Sequence, residues 1–336
     1  MLPLLLKIYT PLVGWTLLGV AMARFFPAWV QQGSRWIGPF LFWVGVPLSI
    51  VGFLRQTPLD GGVWLAAVVA HGSYGLAWGL GWLWLRWQTQ GWSIPWTRGR
   101  TASFQLAAML GNTGYIGYPI CIAVGGTEFF AWALFFDMLG TLFGAYGLGT
   151  WVAASHRAVD PVLSQAPPMT AFVTEAPLPR SVWDPWIQVS RSPAIWGFVV
   201  GMWGKTWILP ELAERSLIAF AWGMIPLTLV LLGMRMGAMR VWGLWRATGA
   251  ALGIRLVLVP LVVGLVLTLV PIPAMARLML VLQSGMPPAM ATLVLTETYQ
   301  LDRQLTVTAL ALGFLGILLT VPLWLWLWGS GLEFAS

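Results

Sequence analysis

A nine-residue stretch, 111–119, interrupts a hydrophobic segment that is long enough to cross a membrane, and it reads Gly-Asn-Thr-Gly-Tyr-Ile-Gly-Tyr-Pro. Gly and Pro cost about 1 and 3 kcal/mol in a helix interior, so this stretch predicts a broken helix. Irregular backbone at membrane depth persists only when it is buried in protein or lines a cavity. A second hydrophobic segment carries Ser-Gly-Met-Pro-Pro at 284–288. Two such breaks in corresponding halves of a chain indicate the substrate site of a transporter.

The composition indicates an all-α integral membrane protein. Of 336 residues, 58% are hydrophobic and 9% are charged, which is about a third of the charged fraction usual in soluble chains. The apolar runs reach the roughly 20 residues that a bilayer requires. Ten spans are predicted, at 4–24, 36–54, 63–85, 102–124, 129–153, 193–209, 215–235, 247–270, 275–297 and 304–328.

The distribution of lysine and arginine predicts the orientation of these spans. If the N-terminus lies outside, twelve arginines fall in cytoplasmic loops and four basic residues fall in outer loops, as the positive-inside rule demands. Both termini are therefore expected outside the cell membrane, with the proline-rich linker 154–192 in the cytoplasm. The net charge of +7 comes from basic residues in the loops and is explained by the orientation of the spans, so that no nucleic acid partner is expected.

The linker divides the chain into two five-span halves, 1–153 and 193–336. An odd number of spans per half requires that any internal repeat be inverted across the membrane. The sequence supports such a repeat, because Pro-Leu-Ser-Ile-Val at 47–51 resembles Pro-Leu-Thr-Leu-Val at 226–230. The stretch of chain from Pro119 to Pro288 is slightly shorter than that from Pro47 to Pro226, and the longer loop after span three accounts for the difference. We therefore expect spans four and nine to cross at mid-membrane.

Such a crossing favours an anionic substrate, because half-helix N-termini carry about half a positive charge and free N–H groups. The Asn112 amide can bond a substrate carboxylate directly, or it can instead only cap backbone groups freed by the break. The candidate substrate-binding residues are Asn112, Thr113, Gly114, Gln283, Ser284 and Gly285. The candidate crossover residues are Gly117, Pro119, Pro287 and Pro288. No cofactor and no metal site are predicted.

Ionisable residues inside a membrane are costly and are candidates for function. Asp137 is interpreted as a proton carrier or as the partner of a neighbouring cation, and His71 as a titrating group or a structural donor. Glu297 and Tyr299, at the end of span nine, are candidates for gating or coupling. Arg255, in span eight, is expected to extend towards the cytoplasmic interface.

The motif Asn112-Thr113-x-x-x-Gly117-x-Pro119, together with Gly285-x-x-Pro288, resembles the two crossover motifs of the auxin efflux carrier family, which is related to bile-acid/sodium symporters. The resemblance implies a scaffold of spans 1, 2, 6 and 7, a moving transport domain of spans 3–5 and 8–10, and a homodimer formed through the scaffold. It also implies that Asn112 holds the substrate carboxylate. The short linker and Gly114 depart from the plant auxin exporters, whereas bacterial members are associated with acids such as malate or malonate.

The leading hypothesis is an exporter of a small organic anion that works by elevator-type alternating access. The alternative is a sodium-coupled symporter of the bile-acid type. An enzyme is not indicated, because neither His71 nor His156 belongs to an H-E-x-x-H zinc motif, and Ser73 does not lie in a G-x-S-x-G elbow.

Overall fold

The structure is a computed structural model that describes residues 2–59, 61–88, 96–156, 189–238, 243–332 and 334. Within these ranges the regular secondary structure is helical. The helices are α1 (Leu2–Phe25), α2 (Pro27–Gln56), α3 (Leu65–Gln88), α4 (Arg98–Met109), α5 (Thr113–Gly125), α6 (Phe130–Ser155), α7 (Pro193–Trp203), α8 (Glu211–Ala238), α9 (Trp245–Leu267), α10 (Ala274–Ser284), α11 (Met290–Thr298) and α12 (Arg303–Trp328). Each predicted span overlaps at least one of these helices.

Six helices in the described ranges are long and apolar enough to cross a membrane: α1, α2, α6, α8, α9 and α12. The shortest has 23 residues and is therefore about 35 Å long, more than the roughly 30 Å of a hydrocarbon core. The helices α5 and α10 are shorter and also apolar. The prediction of an all-helical, membrane-type fold is confirmed.

The start of the second half follows the sequence closely. Helix α7 begins at Pro193, with Ser192 at the N-cap position. Proline suits the first helical turn because its missing N–H has no partner there in any case. The Ser192 side chain makes no capping hydrogen bond. Most of the predicted linker, residues 157–188, lies outside the described residues.

Helices α1, α2, α7 and α8 pack against one another and form a first group. Small residues allow the closest approach, which joins α1 to α8. A side chain on Gly19 would overlap the carbonyl of Val230, and one on Gly233 would overlap the carbonyl of Thr16. Because lipid tails are as apolar as leucine, helices in membranes associate through such close backbone packing.

An ion pair closes one end of this first group. Arg55, at the end of α2, contacts the Glu214 carboxylate of α8 at 2.7 Å, and it also donates to the Trp207 carbonyl at 2.9 Å. Lys205 donates to the carbonyl of Leu54 at 3.2 Å. The C-terminal turn of α2 is thereby tied to the start of α8.

Helices α3 to α6 and α9 to α12 form a second group around a buried apolar core. A side chain on Gly140 would overlap the Ala70 methyl group, so α6 lies directly on α3. The Trp84 ring stacks on Phe104 with centroids 4.6 Å apart. Arg100 and Asp302 pair at 3.0 Å, and Asp302 also caps α12 by accepting from the Leu305 N–H at 3.0 Å.

The tryptophans divide between the surface and the interior. Trp87 and Trp326, near the ends of α3 and α12, are exposed, and tryptophan is enriched at both membrane–water interfaces. Trp324 is buried and donates its indole N–H to the Leu256 carbonyl at 3.2 Å. Segment-end tryptophans therefore contribute to the core as well as to the surface.

Candidate functional site

Two broken helices meet at the centre of the second group. Helix α4 ends at Met109 and α5 begins at Thr113, while α10 ends at Ser284 and α11 begins at Met290. The two breaks lie side by side as an antiparallel backbone bridge between Gly111 and Pro288. The backbone N–H of Asn112 donates to the Pro287 carbonyl at 2.7 Å, and that of Ala289 donates to the Leu110 carbonyl at 2.9 Å.

The bridge pairs Pro288 with a residue that lies eight positions before Pro119, the proline of the first motif. Pro288 lies opposite Gly111, whereas Pro119 lies within α5, two residues beyond the π-helical turn Thr113–Gly117. The helix resumes at Thr113 because the Asn112 side chain caps it. The stretch of chain between Gly111 and Pro288 is almost as long as that between Pro47 and Pro226.

Arg255 fills the space beneath the bridge and is fully buried. Its Nε donates to the Met286 carbonyl at 2.9 Å, and its Nη1 donates to the Met109 carbonyl at 3.0 Å. One guanidinium therefore satisfies a carbonyl from each break. The expectation that Arg255 extends to the membrane surface is wrong, because the two carbonyls freed by the breaks hold it inside.

Gly111 is the position that admits this guanidinium. A side chain there would overlap Nη2 of Arg255. That nitrogen has no hydrogen-bond partner within the described residues. The guanidinium carbon lies 5.8 Å from the ring centre of Tyr74, which is within the range of a cation–π contact.

One of the two polar atoms of the Asn112 side chain is bonded to the backbone. Its Oδ1 accepts from the Tyr115 N–H at 3.2 Å, which is a helix N-cap interaction. Its Nδ2 is buried and has no hydrogen-bond partner in the described part of the chain. The capping interpretation therefore holds for the oxygen, and the amide N–H groups have no acceptor among the described residues.

Gln283 joins the two breaks from the other side. Its Nε2 donates to the carbonyls of Thr113 at 3.3 Å and Ala133 at 3.2 Å, while its buried Oε1 has no partner among the described residues. Gly117 packs against this amide, since a side chain at Gly117 would overlap Oε1. Gln283 thus holds α10 against the first turn of α5.

Ser284 and Gly285 have local contacts. The Ser284 hydroxyl is buried and donates to the Val281 carbonyl one turn earlier, at 2.8 Å. A side chain on Gly285 would lie 3.2 Å from the Pro260 ring. These two residues therefore shape the second break and hold it against α9.

Asp137 is buried beside the first break and is surrounded by hydroxyl groups. Its Oδ1 accepts from Thr113, and its Oδ2 accepts from the Tyr118 hydroxyl at 2.6 Å. The hydroxyl oxygens of Thr113 and Thr141 are 2.8 Å apart, and the Tyr74 hydroxyl donates to Thr141. A side chain on Gly114 would stand 3.2 Å from Oδ2. No cation lies within ion-pair distance of Asp137 in the described ranges.

The remaining coupling candidates lie elsewhere. His71 is exposed on α3, and its Nδ1 lies 2.8 Å from the Ala67 carbonyl of the preceding turn. Glu297 pairs with Arg303 at 3.3 Å, and Tyr299 is buried after the end of α11. The structure does not bring His71 to the crossing.

Arg235 of the first group faces the first break. It is half-buried on α8, on the side opposite the glycines that contact α1, and α8 contacts residues 113–117. It lies near Tyr115 and Glu297. Within the described residues it forms no hydrogen bond and no ion pair.

Sequence reasoning missed Arg255, Tyr74 and Arg235 as parts of this site. A signal exists for Arg255, because a cation in the middle of a long apolar segment has to be satisfied inside the protein. For Tyr74 the signal is weaker: it lies on a face of small residues, Ala70 and Ala77.

Most of the chain resembles known membrane proteins. A family model described as "Membrane transport protein" matches residues 22–325. An uncharacterized transporter of Methanocaldococcus jannaschii is 27% identical over 229 residues, covering 66% of this chain and 67% of that protein. An uncharacterized transporter of Methanothermobacter thermautotrophicus is 24% identical over 228 residues, covering 67% of this chain and 68% of that protein.

Proposed function

Because the chain belongs to the membrane transport protein family, we propose that it is a secondary carrier that exports a small organic anion across the cell membrane. The family match also confirms the resemblance to the auxin efflux carriers. Its relatives carry the name of transporters, and the membrane-spanning character of the helices agrees with that role. The substrate class and the direction of transport are the parts that we infer.

The observation that carries the proposal is that the four half-helix ends at the crossing differ in their partners: Arg255 bonds carbonyls near the C-terminal ends, whereas the N-terminal ends have no such bond within the described residues. Near the two C-terminal ends, Arg255 donates to the carbonyl of Met109, the last residue of α4, and to that of Met286, two residues past the end of α10. The two N-terminal ends belong to α5 and α11, and the cap residue of α11, Ala289, has no side-chain capping bond. Helix N-termini attract carboxylates and phosphates. The Nδ2 of Asn112, which has no partner among the described residues, supplies a further donor at the same place.

Arg235 supports an anionic rather than a neutral substrate. It offers a positive charge from the first group towards Tyr115, whose backbone N–H is bonded to Asn112. A carboxylate held between Asn112 and Arg235 would contact both groups of helices at once. Such shared contact would let the bound substrate influence how the two groups are arranged.

The architecture that we propose has ten spans in an inverted five-plus-five repeat. In it α1, α2, α7 and α8 form the scaffold, through which two copies pair, and the second group forms the transport domain. The nearly equal lengths of chain between the bridged positions, Gly111 and Pro288, and between Pro47 and Pro226 support the repeat. Both termini face outward and the linker is cytoplasmic. Transport then occurs by elevator-type movement of the second group.

The membrane potential can drive export without a coupled ion. With a negative interior, each negative charge leaving the cell gains about 2.3 kcal/mol per 100 mV. If a proton is coupled, we expect Asp137 to carry it, since Asp137 lies beside Asn112 and Thr113 whereas His71 is exposed. Glu297 and Tyr299 remain candidates for gating at the cytoplasmic end.

A thermal-shift screen of the purified protein against monocarboxylates and dicarboxylates tests the proposal. We expect at least one acid to raise the melting temperature of the wild type. Asn112→Ala should abolish that rise, and it should also lower the stability by about 1 kcal/mol through the lost cap. Asn112→Ser keeps the capping oxygen and removes the amide, so it should restore stability but not the response to acid.

Gln32→Ala serves as the matched control, because Gln32 is an exposed amide at the start of α2, and its response to acid should equal that of the wild type. If no carboxylate stabilises the wild type, an organic anion is the wrong substrate class. If Asn112→Ser responds as the wild type does, the substrate lies elsewhere.

A further inference from the structure

The C-terminal ends of broken helices in a membrane need a positive charge. Each such end carries about half a negative charge on carbonyls that lack a helical partner. In hydrocarbon an unsatisfied carbonyl costs several kcal/mol. Transporters with broken helices commonly satisfy these carbonyls with an exchangeable sodium ion or proton. The two C-terminal ends at this crossing thus define a cation site.

In this chain the site is filled by a side chain. The guanidinium of Arg255 is fully buried and reaches Met286 and Met109 with two different nitrogens, at 2.9 and 3.0 Å. Hydrogen bonds from charged donors are roughly twice as strong as those between neutral groups. Because the two bonds go to the two breaks, Arg255 performs for both the electrostatic task of a bound metal cation.

The geometry is specific to arginine. Its planar fork aims N–H groups in fixed, divergent directions, whereas lysine presents one compact ammonium. Arg255 lies in a π-helical turn, Ile254–Leu258, of α9, and such turns are frequent at functional sites. The absence of a side chain at Gly111 leaves the space that Nη2 occupies.

The positive charge of Arg255 is not neutralised by an ion pair within the described residues. Within the described residues no carboxylate lies within ion-pair distance of it. Asp137 belongs to the same region, and the hydroxyl groups of Tyr74, Thr141 and Thr113 lie between it and Arg255. The Tyr74 ring, 5.8 Å from the guanidinium carbon, provides a further favourable contact. The positive charge is therefore directed at the backbone carbonyls of the crossing.

We propose that Arg255 is a tethered substitute for a coupling cation, so that the crossing is assembled and binds its anion without sodium. This inference rests on the proposed function and sharpens it: the carrier is sodium-independent because its cation site is permanently occupied by its own side chain. The sodium-coupled alternative would need the same carbonyls for the ion.

The test measures melting temperatures of the detergent-purified wild type and Arg255→Ala at matched ionic strength in choline, sodium and guanidinium chloride. The wild type should melt at the same temperature in choline and in sodium. Arg255→Ala should melt several degrees lower in choline, and low concentrations of guanidinium should raise its melting temperature by at least about 3 °C. Arg215→Ala is the matched control, since Arg215 is an exposed arginine on α8, and it should behave as the wild type does in every salt.

A second arm repeats the measurement with malonate and the other acids of the screen, in choline and in sodium. Stabilisation of the wild type by an acid in choline alone is the expected result. A requirement for sodium would overturn the role of Arg255 while leaving the anion carrier intact. The absence of any response to acids would count against the proposed function, and the cation series would still decide the role of Arg255.

Two outcomes of the cation series contradict the inference directly. One is a wild type that sodium stabilises beyond the choline control. The other is a folded Arg255→Ala whose stability and response to acid match the wild type in choline. If Arg255→Ala does not fold, Arg255→Lys replaces it, and we expect a lowered melting temperature because one ammonium cannot reproduce the two divergent bonds.

Discussion

Gly111 lies against the guanidinium of Arg255 so closely that a methyl group on its Cα would overlap Nη2. This contact lies at the point where Gly111 bridges to Pro288. The backbone of the first break, the backbone of the second and the buried cation therefore meet in one place. Substitution at Gly111 is the most direct way to disturb all three.

Gly111→Ala should lower the melting temperature by several degrees, because overpacking of a tight interior costs about 1–3 kcal/mol. It should also weaken the response to carboxylates, since Arg255 has to move away from Met109 or Met286. Gly75→Ala is the control: Gly75 lies in α3 with open space around it, so alanine should leave stability unchanged or raise it. Equal stability of the two variants would contradict the packing described here.

Arg235→Gln should weaken the affinity for a carboxylate about 5- to 30-fold, which corresponds to roughly 1–2 kcal/mol. The physical reason is the loss of a charge that faces Tyr115 and carries no ion pair in the described ranges. Titration of the thermal shift with the acid, at low and high salt, measures the effect, and the wild type should be the more sensitive to salt. Arg215→Gln, on the exposed surface of α8, should match the wild type. An unaltered affinity of Arg235→Gln would remove Arg235 from the site.

Thr113→Val should destabilise the protein by about 1–3 kcal/mol, because it leaves the buried Asp137 carboxylate short of one donor. The change keeps the volume nearly constant, so that packing contributes little to the result. Chemical or thermal unfolding in detergent measures the loss. Thr268→Val removes an exposed hydroxyl that bonds only to the Leu265 carbonyl, and its stability should stay within about 0.5 kcal/mol of the wild type. Similar stabilities of the two variants would argue against the network.

Gly19→Leu should disrupt the packing of α1 on α8, because a side chain at Gly19 meets the backbone of Val230 and Gly233. We expect poor folding or a strongly lowered melting temperature. Gly14→Leu, earlier on α1 with open space around it, should fold normally. Size-exclusion profiles and melting temperatures of the two variants decide the point. Equal behaviour would show that this contact is not needed for the first group.

The two helix breaks and the Asn112 cap can be predicted from the sequence, because each depends on residues that are close together in the chain. Gly111, Pro287 and Pro288 oppose helix formation wherever they occur, so the existence of both breaks follows from their composition. Asn112 is a good N-cap residue next to a break, and the structure uses its oxygen in that way. Ser192 followed by Pro193 marks a helix start for the same kind of reason.

The pairing of the breaks required the structure. Which residue lies opposite Pro288 depends on how far α4 extends before it ends, and Met109 ends it earlier than the Pro119 motif suggests. The role of Arg255 depends on carbonyls from two distant segments. The position of Arg255 inside a long apolar segment indicates a partner within the protein, but no spacing within α9 reveals which carbonyls it bonds. The role of Arg235 in the site depends on which side of α8 faces the second group, and the sequence does not show that side.

The guanidinium beneath the bridge also limits how the chain can vary over evolution. A residue larger than glycine at 111 has no room while Arg255 is present, and a shorter residue at 255 removes the reason for glycine. Substitutions at the two positions are therefore expected to occur together among related chains, although the positions lie in opposite halves of the sequence. A related chain that binds an exchangeable ion at this place is expected to differ at both positions.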